Sequence, residues 1–131
     1  MGFVIDSDVA INAERQRKKL SDLIIQDPSA EYFISVITVS ELFHGYERAN
    51  NEKLRDERKQ FIESIINNFR VISIDAEIAK VHAKIWAGLQ ERNEMIGVHD
   101  SWIAASCIYY GHTLITLNVR DFERIPGLKL A

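Results

Sequence analysis

Four short runs rich in β-branched and aromatic residues, FVI (3–5), YFISVI (32–37), RVISI (70–74) and HTLITL (112–117), interrupt a chain whose other segments repeat their apolar residues at helical spacing. This alternation constrains the fold more than any other feature. Strands joined by helical crossovers run parallel, and a parallel sheet needs helices on both faces to bury it. The helical segments are expected at 8–25, with Leu20, Leu23 and Ile24 facing inward and an end before Asp27-Pro28, and at 39–48. A third spans 51–68, where Leu54, Phe61, Ile62, Ile65, Ile66 and Phe69 recur at helical intervals. The last two cover 76–92, through Ile78, Val81, Ile85 and Leu89, and 99–110, closed by Gly111. LKL at 128–130 is expected as a short fifth strand. The expected fold is α/β, with a central, mainly parallel sheet between two layers of helices. Ligands of such sheets bind beyond the carboxyl ends of the strands.

With 131 residues, 47% hydrophobic and 27% charged, the chain suits one domain over 1–131 with one core. No apolar run approaches the roughly 20 residues of a membrane helix. The N-terminus, MGFVIDSDV, lacks the basic start and cleavage site of a secretory signal. Cys107 is the single cysteine, so no intrachain disulfide can form, and a cytoplasmic location is expected. The net charge of −3 argues against a protein that coats nucleic acid through a broad basic surface. Basic residues do cluster at Arg15, Arg17, Lys18 and Lys19, and again at Lys53, Arg55, Arg58 and Lys59. A solvated helix face is the ordinary reason for such a cluster; steering of a phosphate backbone is the other.

Four acids fall where elements are expected to begin or end: Asp6 after FVI, Glu41 in TVSELF, Asp100 in VHDSWIAAS and Asp121 in TLNVRDF. A lone carboxylate beside a buried apolar run is costly, and carboxylates brought together raise one another's pKa unless a cation neutralises them. A divalent metal resolves both, and hard oxygen ligands favour Mg2+ or Mn2+. Each acid also has a structural alternative. Asp6 would be a helix N-cap, although Asp8, nearer the helix body, is the better cap candidate. With Asp6 as a metal ligand instead, Ser7 would hold its carboxylate or a metal-bound water through its hydroxyl. Thr38-Val39-Ser40-Glu41 matches a capping box, in which Glu41 would bond back to the N-cap amide. Asp100 would cap its helix or favour its dipole. Asp121, three residues after Asn118, would cap a turn. His99 is either a surface residue or a ligand or base. His44, His82 and His112 form no zinc-spaced pair, and Glu41-x-x-His44 is a single motif with no bundle to receive iron.

Taken together, these motifs resemble the PIN-domain ribonucleases, and within them the VapC-type toxins of type II toxin–antitoxin pairs. The resemblance spans essentially the whole chain. It rests on Val4-Ile5-Asp6-Ser7-Asp8, on Thr38 and Glu41 after a strand, on Asp100 in HDSWIAAS, and on Leu114 to Phe122, LITLNVRDF, before an IPGLKL ending. It implies a PIN-like three-layer fold with an acidic pocket at the C-terminal edge of the sheet. Asp6, Glu41, Asp100 and Asp121 are the implied catalytic and metal-holding acids, with Ser7 and Asn118 behind them. Many relatives carry Asp where this chain has Asn118, so the hold on a second metal is the point in question. The resemblance also implies Mg2+- or Mn2+-dependent endonucleolytic cleavage of RNA (tRNA or rRNA among the candidates), a homodimer, and a cognate antitoxin that wraps the toxin and can insert an arginine into the pocket.

Two other functions are compatible with parts of the sequence. Asp6-Ser7-Asp8 fits the D-x-D of a haloacid dehalogenase-type phosphatase, with Asp6 as nucleophile and Asp8 as acid, but no lysine motif or later acidic pair accompanies it. A non-catalytic binding module would use the same acids only as caps.

Overall fold

Val4 and Ile5 are adjacent on one strand and both fully buried, which requires apolar cover on the two faces of the sheet. The computed structural model describes residues 2–24 and 27–131 and supplies that cover. Strand β1 (Gly2–Ile5) lies at the centre of a five-stranded sheet with β2 (Glu31–Ser35), β3 (Arg70–Ile72), β4 (Thr113–Ile115) and β5 (Lys129–Leu130). The order is β3-β2-β1-β4-β5 and every neighbouring pair is parallel. Seven helices surround it among the described residues: α1 (Ser7–Arg15), α2 (Leu20–Ile24), α3 (Val36–Glu47), α4 (Glu52–Asn68), α5 (Ala76–Glu91), α6 (Val98–Tyr110) and α7 (Val119–Phe122).

Val4 and Leu114 pack with Ile78 and Leu89 of α5 and Ile103 and Ala104 of α6. Ile5 and Ile34 pack on the opposite side with Val9 of α1, Leu42 of α3 and Ile62 and Ile65 of α4. The period-2 alternation of the strand thus builds two cores, one per face. The register aligns Gly2–Ile5 with Glu31–Ile34, and Phe3–Ile5 with Thr113–Ile115. From β1 the chain steps outward to β2 and β3 on one side, then returns to add β4 and β5 on the other. The switch point therefore lies between the carboxyl ends of β1 and β4, where such sheets take their ligands.

Several boundaries differ from the sequence expectation. The helix expected at 8–25 is two helices, because Arg17 adopts a left-handed φ of 56° and the Lys18 amide closes α1 on the Ala13 carbonyl. Arg15 to Lys19 are all exposed, so no apolar side chain rewards a continuous helix there. The side chains of Leu23 and Ile24, and residue 25, lie outside the described residues. The strand expected at 32–37 stops at Ser35, whose side chain accepts from the Ile37 amide and starts α3 three residues early. The strand expected at 112–117 keeps only Thr113–Ile115, and α7 follows where a loop was expected. Gly111 does end α6 in the left-handed conformation, with φ 72°.

Candidate active site

Asp6 directly follows β1, and its amide extends the ladder by bonding to the Ile115 carbonyl of β4 at 2.9 Å. This bond places its carboxylate at the switch point, 3% exposed. Both oxygens are engaged there. Oδ1 accepts from the Ser7 amide at 2.8 Å, and Oδ2 accepts from the Thr116 hydroxyl at 2.7 Å. Asp6, not Asp8, is therefore the N-cap of α1. Asp8 instead accepts from the Leu117 amide at 3.2 Å and lies 3.4 Å from the Thr116 hydroxyl, which joins α1 to the segment after β4. Ser7 supports Asp6 through its amide; its hydroxyl is paired with that of Thr38 at 2.8 Å, a buried tie from α1 to α3.

Thr38 lies inside α3 and Ser35 is the cap, so the capping-box role for Glu41 is overturned. Glu41 is freed to face the site edge, partly buried, with His99 Nδ1 3.3 Å from its Oε1. Asp100 lies in the first turn of α6, whose N-cap is Gly97 with no side-chain cap bond, so Asp100 is not the cap. Asp121, in α7, accepts from the Asn118 side-chain amide at 3.0 Å and lies 3.7 Å from Arg124 Nη1. Asn118 also donates its backbone N–H to Thr116 Oγ1 at 2.9 Å. A chain of bonds thus runs from Asn118 through Thr116 to Asp6.

The acids share one electrostatic field. Burial pushes the Asp6 carboxyl up to about 7, and the charges of Asp8 and Asp100 push the same way, against the hydrogen bond from Thr116. Asp100 is also raised, by burial first and then by Glu41, Asp8 and Asp121, with His99 opposing. Cys107, behind Asp6, is driven to about 12 by burial and is inert as a thiol. Among the described residues, no three His, Cys, Asp or Glu side chains stand close enough together to enclose a metal ion. What the structure provides is a set of oxygen donors around Asp6 and Asp100, whose ionised forms burial and the neighbouring carboxylates disfavour, and a hard divalent cation suits that donor set and charge. Sequence reasoning gave Thr116 no role of its own, and took Asp8 as a cap or as the acid of a phosphatase rather than as an anchor for the Leu117 segment. The signal for Thr116 was its place in LITLN beside Asn118; that for Asp8 was its two-residue spacing from Asp6.

Residues 3–128 match the family profile described as PIN domain. The chain belongs to the PIN-domain family. Within that family it is 35% identical over 130 residues to "Ribonuclease VapC1" of Rickettsia felis, covering 99% of this chain and 95% of that protein. It is 34% identical over 98 residues to the "tRNA(fMet)-specific endonuclease VapC" of Salmonella typhimurium, covering 74% of this chain and 71% of that one. A solved structure of DNA-bound VapBC from Salmonella typhimurium superimposes with a TM-score of 0.88 at 26% identity, over 100% of this chain and 97% of that one. This PIN-domain chain is a member of the VapC ribonucleases, the toxin ribonucleases of toxin–antitoxin systems. The phosphatase reading of Asp6 and Asp8 finds no support in these relationships or in Asp8's engagement with Leu117.

Proposed function

We propose that residues 1–131 act as a single nuclease domain that hydrolyses RNA phosphodiester bonds endonucleolytically with Mg2+ or Mn2+, as the cytoplasmic toxin of a toxin–antitoxin pair. The observation that carries this is the buried Asp6 carboxylate at the β1/β4 switch point, where burial first and then the charges of Asp8 and Asp100 raise the cost of ionising it, as burial and then Glu41, Asp8 and Asp121 do for Asp100. Asp6 and Asp100 would hold the principal ion, with Glu41 and Asp121 completing the site. A bound divalent cation supplies the positive charge that lowers a water's pKa and offsets charge gathering on the phosphate. The protein's own part is positional. Ser7 and Thr116 hold the two oxygens of Asp6 in one orientation, and Asn118 does the same for Asp121. Asp8 anchors the Leu117 segment beside them. Glu41, with its partner His99, forms the exposed wall of the site.

An RNA substrate is supported by the relatives named as ribonucleases, with tRNA raised by one of them. A cognate antitoxin is supported by superposition on VapBC, and a homodimer is proposed from the family resemblance. The test is incubation of total RNA with antitoxin-free protein in Mg2+, Mn2+ or EDTA, beside Asp6→Asn. Discrete fragments that need the metal and disappear in the variant are expected. Cleavage that persists in EDTA or in the variant would overturn the proposal.

A further inference from the structure

A groove of about 670 Å³ between α1, α3 and α4 has Glu41 and His99 in its wall, so it opens directly from the candidate active site. Arg15, Arg48 and Arg58 line the same groove. It shares Arg15 and Arg58 with an adjoining hollow of about 550 Å³ that carries Arg17, Lys18 and Lys19. The left-handed turn at Arg17 presents those last three cations together. Six of the chain's sixteen Lys and Arg residues thus line one path, against three of its nineteen acids, Glu14, Glu41 and Glu57. In a chain of net negative charge this distribution is uneven. A single solvated helix face does not account for it, because these cations come from α1, from α4 and from the segments that follow α1 and α3.

The path is also partly built in advance. Arg58 donates to the Gly45 carbonyl of α3, and its Nε is 3.9 Å from Glu14 of α1, so one guanidinium spans three helices. Arg15 and Arg48 are exposed and make no ion pair among the described residues. Guanidinium groups match phosphate oxygens in fork geometry, and a run of them suits an extended polyanion better than a single anion.

Resting on the ribonuclease proposal above, we infer that this groove holds the sugar–phosphate backbone of the RNA flanking the cleaved bond, with Arg15 and Arg48 as its phosphate contacts. Recognition here is by charge and shape and carries no base preference.

The test uses the antitoxin-free chain with Arg15→Gln/Arg48→Gln and with Arg48→Gln alone, and Lys129→Gln as the control matched in charge to the single variant, since Lys129 lies on β5 at the opposite, N-terminal edge of the sheet. Anisotropy of a labelled single-stranded RNA is followed in EDTA over a series of salt concentrations, and cleavage kinetics are measured in Mn2+. Each lost phosphate contact on a single strand removes a slope of about 0.7, so the double variant should flatten log K against log salt by about 1.4 and bind about 25-fold more weakly at 0.1 M salt. KM should rise similarly with kcat little changed, and Arg48→Lys should keep the wild-type slope. The single Arg48→Gln variant, at an exposed site, gives the same readout at half the slope if the double variant does not fold. Wild-type affinity and slope in folded variants overturn the inference while leaving the ribonuclease proposal standing. Unchanged RNA binding with weakened antitoxin binding assigns the groove to the protein partner and also overturns it. Absence of RNA cleavage by the wild type is a failure of the underlying proposal instead.

Discussion

Asp6 is held by the Ser7 amide and the Thr116 hydroxyl, yet burial still drives its carboxyl up to about 7. Between the ordinary carboxylate range and that value, the folded chain keeps a proton that the unfolded chain has lost. Metal-free stability therefore falls as pH rises through this window. Asp6→Asn removes the buried charge, keeps the Oδ1 acceptor for the Ser7 amide, and offers its amide N–H to the Thr116 hydroxyl in place of the lost Oδ2 acceptor. At pH 8 in EDTA it should be more stable than wild type by up to about 4 kcal/mol, a gain that disappears near pH 4. Urea unfolding at the two pH values measures this, and equal stability of the two proteins at pH 8 would contradict the buried-charge account. A second residue-scale prediction concerns Ser101, fully buried beside Asp100. Its hydroxyl donates to the Val98 carbonyl at 2.6 Å and is 2.8 Å from His82 Nε2 on α5, whose ring stacks on Trp102 at 3.7 Å. Ser101→Ala removes the hydroxyl that joins the Val98 carbonyl to His82 and should cost about 1 kcal/mol, read from the denaturation midpoint.

At the scale of the element, each site residue depends on how its helix begins. Ser35 starts α3 and thereby turns Glu41 from a capping glutamate into one that faces the site. Ser35→Ala should cost about 1 kcal/mol in unfolding free energy, and it should lower metal affinity if α3 frays towards Glu41. Unchanged thermal stability would show that the cap contributes nothing. Gly111 ends α6 at φ 72°, a conformation disfavoured for side chains with a Cβ. Gly111→Ala should cost about 1 kcal/mol, measured by thermal unfolding. The five strands and most helices were legible because periodicities of 2 and 3.6 leave direct marks on apolar residues. Less was legible at α1 and α7. Nothing in Arg15 to Lys19 announces a left-handed residue, and four residues are too few to show a helical period.

For the whole molecule, two cores clamp β1 between α5/α6 and α1/α3/α4, so the acids from four separate segments share one edge. A ligand bound only by the folded chain stabilises it by mass action. Saturating Mg2+ or Mn2+ at 100 times its Kd should therefore raise stability by about 2.7 kcal/mol, and EDTA should reverse the gain. The increment should shrink as pH falls below about 7, where Asp6 takes up its proton, and it should be reduced in Asp6→Asn. Calorimetry with and without the ion measures it, and an equal increment in wild type and variant would remove Asp6 from the metal proposal.

The sequence by itself determined the α/β class, the parallel sheet and the positions of Asp6, Asp100 and Asp121 near element ends, because apolar periodicity and strand-end acids are local signals; Glu41, expected at a helix start, lies in the middle of α3. It could not decide between cap and ligand for any of the four, since both roles ask for the same residue types at the same helix starts. Only the tertiary structure made Ser35 the cap of α3, made Asp6 the cap of α1, and brought Thr116 to Asp6 across 110 residues of chain. The two caps are local bonds, but where β1 and β2 end, and so which residue caps, is set by the sheet register; the Thr116 contact is distant in sequence and leaves no local pattern to read.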